Sequence, residues 1–122
     1  MKAILIDPFD QSVSEVDYNG DHKEVSNLID CGPIDYVSLD DTNDIYVDDE
    51  GLLKNPTRYF RIFSYKTMRL VTLAGKGLIL GHNDDGETIA TTLNANDYAE
   101  SVQFLPEGHE EQPYMEFFGE ML

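Results

Sequence analysis

Short apolar runs separated by turn-forming segments constrain the fold of this chain more than any other sequence feature. The runs at residues 3–6 and 78–80 are only a few residues long, and segments such as 7–11 and 85–86 interrupt them with Asp, Pro, Asn or Gly. Runs of this length are typical of β-strands, and Asp-Gly pairs favour the tight turns between antiparallel strands. The sequence therefore predicts a mostly antiparallel sheet.

Six or seven segments qualify as strands. Residues 2–18 and 34–51 each predict a β-hairpin, because residues that favour strands alternate in facing on both sides of a turn. Residues 58–66 are dense in aromatic and β-branched side chains, and the runs at 78–80 and 88–91 supply further strands.

One main helix is predicted over residues 21–31. Val25, Leu28 and Ile29 fall on one helical face, Asp21 can cap the first turn, and Gly32 follows the last one. A short second helix is expected over residues 94–101. The predicted fold class is α+β: a sheet of about six strands with the main helix on one face, the other face being open or used in a homo-oligomer.

The length of 122 residues fits a single domain, which we place at residues 1–105. Residues 106–122 differ in composition, with five Glu beside an aromatic and methionine cluster that includes Tyr114, Phe117 and Phe118. This acidic C-terminal tail either folds back over an apolar patch or serves as a docking peptide for another chain.

Charge is divided along the chain into three blocks. Residues 1–51 hold 14 acidic and two basic residues, residues 52–83 hold six basic residues and no acidic one, and residues 84–122 hold ten acidic residues and no basic one. The net charge of −16 disfavours direct binding to nucleic acid or to anionic membranes, and it favours a basic partner. The basic block either pairs with acidic neighbours inside the domain or lines a basic pocket.

Cysteine content and hydropathy bear on location. Cys31 is the only cysteine, so an internal disulfide is excluded, and the first apolar run is too short for the core of a signal peptide. No later run is long enough to span a membrane. We expect a soluble protein of the cytoplasm.

Residues 46–49, Tyr-Val-Asp-Asp, match the YxDD signature of metal-dependent polymerases. A chain of this length has no room for the domains that bind a template, and its acidity would repel one. Asp48, Asp49, Glu50 and Gly51 also have the composition of an ordinary turn. We therefore expect a strand that runs into a turn, and not a catalytic site.

Metal, cofactor and nucleophile signals are weak elsewhere. The carboxylate-rich segments 40–44 and 83–87 lack the spacing of a calcium loop, and the three histidines have no second ligand nearby in sequence. The Gly-Lys-Gly at residues 75–77 lacks the spacing of a phosphate-binding loop. We expect no cofactor, no metal and no enzymatic activity.

The segment 58–69 is the best candidate for a small-molecule site. As a strand it alternates a cation with aromatic rings on one side, an arrangement that can stack on bases or hold an anionic nucleotide. Cross-strand ion pairing is the commoner use of such arginines. The candidate ligand-binding residues are Tyr59, Arg61, Tyr65, Arg69 and Lys76.

The chain resembles a family of small proteins of unknown function that are encoded by bacteriophages and other mobile elements. The resemblance lies in residues 1–21, in the turn at 47–53, in residues 73–87 and in the apolar run at 102–105. It implies an accessory protein that acts in a bacterial host cytoplasm, and it supplies no catalytic residues.

Two functions follow as hypotheses. In the first, a non-enzymatic protein binds and inhibits or modulates a host protein, such as a CRISPR or restriction enzyme, by placing carboxylates in a groove that binds phosphates. In the second, the basic segment sequesters an anionic nucleotide signal. The residues expected to contact a protein partner are Asp40, Asp41, Asp44, Asp48, Asp49, Glu50, Tyr114, Phe117 and Phe118.

Overall fold

The structure, a computed structural model, describes residues 1–51 and 57–109. Over these residues the chain forms nine strands and two helices. The strands are β1 (Lys2–Asp7), β2 (Ser12–Asp17), β3 (Ile34–Ser38), β4 (Asn43–Asp48), β5 (Tyr59–Ser64), β6 (Arg69–Ala74), β7 (Gly77–His82), β8 (Thr88–Ile89) and β9 (Gln103–Phe104). The helices are α1 (His22–Leu28) and α2 (Ala95–Ala99).

The described strands pair into two antiparallel sheets. The larger sheet has the order β2-β1-β7-β4-β3, and β8 pairs with the last residues of β7. The smaller sheet has the order β6-β5-β9. The predicted α+β class is confirmed, and so are the two predicted hairpins, β1 with β2 and β3 with β4.

Strand β7 is the centre of the core because it is buried on both sides. Leu78 packs in a cluster with Val25 of α1, whereas Ile79 packs in a separate cluster with Phe60 of β5. Side chains of successive strand residues point to opposite faces, so helix α1 covers one face of the larger sheet and the smaller sheet covers the other. The expectation of one open sheet face is therefore wrong.

Gly77 lies where Phe60 of the smaller sheet packs against the larger sheet. A Cβ atom at this position would meet Ile45 Cδ1 at 2.7 Å and Phe60 Cζ at 3.0 Å. The missing side chain thus allows β5 to pack directly on the larger sheet.

Strand β6 was absent from the sequence prediction. Its connection to β5, residues 65–68, contains no Gly, Pro, Asn or Asp, so the usual signal of a hairpin turn is missing. Met68 closes this turn with a positive φ of 57°. Exposure also falls along the strand, from Arg69 and Leu70, which are exposed, to Leu73 and Ala74, which are buried, so the strand shows no clear alternation.

Both helices begin where the sequence predicts. The Asp21 side chain accepts a hydrogen bond from the Lys23 backbone N–H, and Asn94 caps α2 in the same way. Helix α1 ends at Leu28, three residues before its predicted end, because Asp30 takes a left-handed conformation with φ of 54°. Neither described helix is long and apolar enough to cross a membrane.

Burial of Tyr98 in α2 makes stability sensitive to high pH. Tyr98 is 8% exposed, and burial raises its pKa from 10.0 to about 12. Its contribution to stability is complete below pH 10 and is lost as the pH rises towards 12, because the unfolded state ionises first. At about pH 11 we expect the wild type to lose roughly 1 kcal/mol more of its unfolding free energy than a Tyr98→Phe variant. Urea unfolding of both proteins at about pH 9 and pH 11 measures the difference; equal losses would contradict it.

Candidate functional site

Strand β5 divides its side chains between the core and the surface. Phe60 and Ile62 are fully buried against the larger sheet, and the alternate residues point away from it. We define the outer face as the side chains on the far side of the smaller sheet: Tyr59, Arg61 and Phe63 of β5, Leu70 and Thr72 of β6, and Gln103 of β9. The predicted alternation of a cation with aromatic rings is present on this face.

The two arginines of the predicted anion site lie on opposite sides of the smaller sheet. Arg61 is on the outer face, where its Nε donates a hydrogen bond to Thr72 Oγ1 at 3.1 Å. Arg69 is paired across the hairpin with Ser64, whose side chain is buried on the core side. Cross-strand partners share a face, so the two guanidinium groups leave the sheet in opposite directions.

The other three residues of that site are spread along β5. Tyr59 is 5% exposed and pairs with Ala74 at one end, whereas Tyr65 follows the opposite end and is 62% exposed. The two tyrosines are six positions apart along extended chain, a distance of roughly 20 Å. Lys76 follows Ala74, at the end remote from Tyr65. The structure does not bring the five predicted residues into one pocket.

Lys76 instead lines a cavity of about 320 Å³. Segments that follow β1, α1, β4 and β6, and the residue Thr57 before β5, meet there at the same end of the two sheets. The lining residues are Asp7, Phe9, Ile29, Asp30, Asp48, Gly51, Thr57, Gly75 and Lys76.

Carboxylates outnumber cations among these described lining residues. Lys76 Nζ lies 2.5 Å from Asp30 Oδ2 and 4.0 Å from Asp7 Oδ2, and the hydrogen bond to Asp30 raises the pKa of Lys76. Asp48 adds a third carboxylate to the lining. Lys76 is thus matched by acidic neighbours, and the cavity is better suited to a cationic group than to an anionic one.

The hairpin between β3 and β4 places two of the predicted partner-binding carboxylates at its tip. Asp40 Oδ1 accepts hydrogen bonds from the backbone N–H groups of Thr42 and Asn43, so Asp40 shapes the turn. Asp41 is exposed and forms an ion pair of 2.8 Å with Lys66. Their hydrogen bond lowers the pKa of Asp41 and raises that of Lys66.

Asp44 does not lie on the surface as the partner-binding prediction requires. It is 5% exposed, and it accepts a hydrogen bond from Ser38 Oγ at 3.1 Å and lies 2.7 Å from His82 Nδ1. The Asp44 prediction is corrected for this reason: a buried carboxylate with two partners holds the sheet together and is not presented to another protein. The Asp44–His82 pair joins residues 38 apart, so no local spacing pointed to it.

Two acidic turns meet at one end of the larger sheet. The backbone N–H of His82 donates to the Thr42 carbonyl at 2.9 Å, which places the β3–β4 turn beside the β7–β8 turn. We define the acidic end as the exposed carboxylates of these turns: Asp41, Asp84, Asp85 and Glu87. The last three lie in the segment 83–87, which the sequence did not predict as part of a partner-binding surface. Over the described residues, no three His, Cys, Asp or Glu side chains are grouped to hold a metal ion.

Asn43 supports the β3–β4 turn from inside the protein. It is fully buried, its Nδ2 donates to Thr92 Oγ1 at 2.9 Å and to Asp40, and its Oδ1 accepts from Thr91 Oγ1 at 2.6 Å. The side chain therefore ties the β3–β4 turn to the segment that follows β8. Sequence reasoning missed this role, because Asn is mostly exposed and nothing local marks a buried one.

The remaining predicted carboxylates lie at the opposite end of β4. Asp48 ends the strand and accepts a hydrogen bond from the Glu50 backbone N–H at 2.9 Å, while the Asp49 N–H donates to the Pro33 carbonyl at 3.0 Å. The predicted strand running into a turn is confirmed. The six residues of β4, roughly 20 Å long, separate this turn from the acidic end, so the predicted partner surface is divided in two.

Three predicted partner-binding residues, Tyr114, Phe117 and Phe118, lie outside the described residues. All other predicted site residues fall within the region that a single family model matches. That model is a domain of unknown function, DUF3846, and the match covers residues 1–103.

The chain belongs to the DUF3846 family. Comparisons with curated proteins and with solved structures found no significant match. The matched residues contain the larger sheet, the cavity beside Lys76 and the acidic end, and they end within β9 of the smaller sheet. The family description carries no activity.

Proposed function

We propose that this DUF3846 protein is a non-enzymatic accessory protein of a bacteriophage or other mobile element, and that it binds and inhibits or modulates a host enzyme in the bacterial cytoplasm. The host enzyme would be a nucleic-acid-handling defence enzyme of the CRISPR or restriction type. The observation that carries this proposal is the acidic end, where two turns from distant parts of the chain present exposed carboxylates together.

Electrostatics support a basic groove as the target. Enzymes that handle nucleic acid bind phosphates through Lys and Arg side chains, and a surface of closely spaced carboxylates offers those side chains an alternative anion. The net charge of −16 would also steer such an enzyme towards the protein. Of the four carboxylates at the acidic end, Asp41 already pairs with Lys66, which leaves Asp84, Asp85 and Glu87 as the main contacts.

The turns that carry these carboxylates are held by internal hydrogen bonds. Asn83 Oδ1 accepts from the backbone N–H groups of Asp85 and Glu87, at 3.1 and 2.9 Å. The Asp44–His82 pair joins the strand ends that carry the two turns, and the Asn43 contacts hold the β3–β4 turn. A surface that is already ordered loses less conformational entropy on binding, so a small set of charges can give useful affinity.

Capture from a bacterial lysate tests the proposal. The tagged protein, immobilised at about 50 mM salt, should retain a nucleic-acid-binding host protein, identified by mass spectrometry, and should release it at about 500 mM salt because the contacts are ionic. Capture of no nucleic-acid-binding protein, or of one that remains bound at high salt, would count against the proposal.

A nucleotide-sequestering function is the second candidate. It is favoured by the position of Arg61 on the outer face beside Phe63, whose ring stacks edge-on with that of Tyr65 at 4.9 Å. A thermal-shift screen with cyclic and linear nucleotides tests it. Stabilisation that an Arg61→Gln variant lacks would support the site, and no stabilisation by any nucleotide would reject it.

A further inference from the structure

Over the described residues, β2 and β3 are the edge strands of the larger sheet, and β6 and β9 are those of the smaller one. An edge strand exposes unpaired backbone groups that can bind another strand, and charged side chains commonly prevent this. Strand β2 carries Glu15 and packs against α2, β3 carries Asp35, and β9 has only two residues. In β6 the residues after Arg69, Leu-Val-Thr-Leu-Ala, are all uncharged. Strand β6 is therefore the least protected of these edges.

The pairing of β6 with β5 shows which backbone groups of β6 face the free edge. The Gly75 N–H donates to the Arg58 carbonyl at 2.9 Å, so this pair is hydrogen-bonded across the hairpin. Such pairs alternate with non-hydrogen-bonded ones along an antiparallel ladder, and the register of β5 and β6 has no bulge. The N–H and C=O groups of Leu70 and Thr72 therefore point away from β5, to a side where none of the described strands lies.

The two ends of this edge carry opposite charges. Arg69, which begins the strand, is exposed and extends on the side that faces the larger sheet. At the other end, a Cβ atom added to Gly51 would lie 3.0 Å from the Ala74 carbonyl oxygen, so the turn after β4 lies beside Ala74. Asp49 and Glu50 in that turn are exposed. The edge is basic at its start and acidic at its end.

We propose that β6 pairs with β6 of a second copy of this chain, antiparallel and about a twofold axis at Val71. Leu70 of each copy then lies opposite Thr72 of the other, and these pairs exchange about four backbone hydrogen bonds between the chains. The two smaller sheets become one continuous sheet. The pairing also buries Leu70, which is 62% exposed in the single chain.

Charge favours a second copy over a strand of another protein. Because the two β6 strands run in opposite directions, Arg69 of each copy comes close to the acidic turn of the other, and this contact is made twice. A strand of unrelated sequence would supply the backbone hydrogen bonds without that match. The net charge of −16 on each copy opposes association at long range, and salt screens this repulsion.

Sedimentation velocity of the full chain at about 5 to 200 μM, in about 150 mM salt, tests the pairing. The wild type should change from monomer to dimer over this range. Leu70→Lys places a charge on the free edge and should raise the dissociation constant at least about tenfold. Tyr36→Lys, the same charge at a similarly exposed position on β3, should change it less than about twofold. A wild type that stays monomeric, or a dimer that Leu70→Lys leaves intact, would overturn the proposal.

A charge exchange tests whether two chains meet in this orientation. Arg69→Glu and Glu50→Lys should each weaken the dimer at least about tenfold, because each variant alone places like charges at both contacts. An equimolar mixture of the two variants should dimerise within about threefold of the wild type, since opposite charges again meet at both contacts. A mixture that associates as weakly as its components would rule out the antiparallel arrangement.

Hydrogen–deuterium exchange followed by NMR locates the contact. The Leu70 and Thr72 amides should exchange at least about twofold more slowly at about 500 μM than at about 50 μM, because pairing removes them from solvent. The Val71 amide is the internal control, since it is bonded to β5 in the single chain as well. Exchange of Leu70 and Thr72 at the same rate in both samples would contradict the pairing of β6.

Discussion

Replacing Asn43 with Ala is expected to lower the free energy of unfolding by about 3 kcal/mol. The Asn43 side chain is fully buried. Its loss would leave the Thr91 hydroxyl without its hydrogen-bond acceptor and would remove the hydrogen bonds that Asn43 donates to Asp40 and Thr92. Buried polar groups without partners are costly, and the small cavity left by the truncation adds to the loss. Urea unfolding followed by circular dichroism measures the change.

Two variants make this result specific. Asn43→Asp keeps the shape but places a second carboxylate beside Asp40, so it should destabilise the protein at least as much as Ala does. Asn96→Ala, at an exposed position in α2, should change stability by less than about 0.5 kcal/mol. A loss below about 1 kcal/mol for Asn43→Ala would mean that this side chain does not hold the β3–β4 turn to the segment that follows β8.

Neutralising the acidic end should weaken partner binding by about 10- to 100-fold. The variant Asp84→Asn, Asp85→Asn, Glu87→Gln removes three exposed negative charges while keeping side-chain size, and Gln can still accept the hydrogen bond from Asn83 Nδ2. Each contact between charges at an interface contributes on the order of 1 kcal/mol. The dissociation constant for the host protein captured from lysate measures the effect.

The matched control removes the same charge elsewhere. Asp10→Asn, Glu15→Gln, Glu100→Gln neutralises three exposed carboxylates that lie outside both acidic turns. It should weaken binding less than about threefold, because only long-range steering is lost. Equal losses for the two triple variants would show that net charge, and not the acidic end, determines affinity.

Local signals account for the parts of the fold that the sequence predicted. Asp21 and Asn94 cap their helices by accepting hydrogen bonds from backbone N–H groups two residues further along the chain. In the turn of the β1–β2 hairpin, the Asp7 side chain accepts hydrogen bonds from nearby backbone N–H groups. The apolar run of β7 marks a strand buried on both sides. Such features depend on neighbours in sequence, so patterns of residue type reveal them.

The missed features depend on residues far apart in sequence. Asp44 was expected on the surface because carboxylates are mostly exposed, and only the fold brings His82 to it. The second sheet was missed because the β5–β6 turn carries no turn-forming residue. The position of Lys76 in the basic block predicts a place in a basic pocket. In the structure its nearest charged partners, Asp30 and Asp7, come from the first acidic block.

These contacts show how the charged blocks of the sequence interact in the fold. Lys66 and Lys76 pair with acidic residues of the first block, so part of the basic block is used in internal ion pairs. Arg61, of the same block, lies on the outer face and donates a hydrogen bond to Thr72. The exposed carboxylates of the acidic end, at one end of the larger sheet, are the surface that the proposed function uses.

Competition with DNA tests the central proposal most directly. A labelled DNA duplex is bound to the host enzyme captured from lysate, and the wild-type protein is then titrated in while fluorescence anisotropy is followed. We expect complete displacement of the duplex by the wild type, and displacement by the Asp84, Asp85, Glu87 triple variant only at about 10- to 100-fold higher concentration. A stable complex of enzyme, duplex and wild-type protein together would contradict the proposal that the acidic end occupies the groove that binds phosphates.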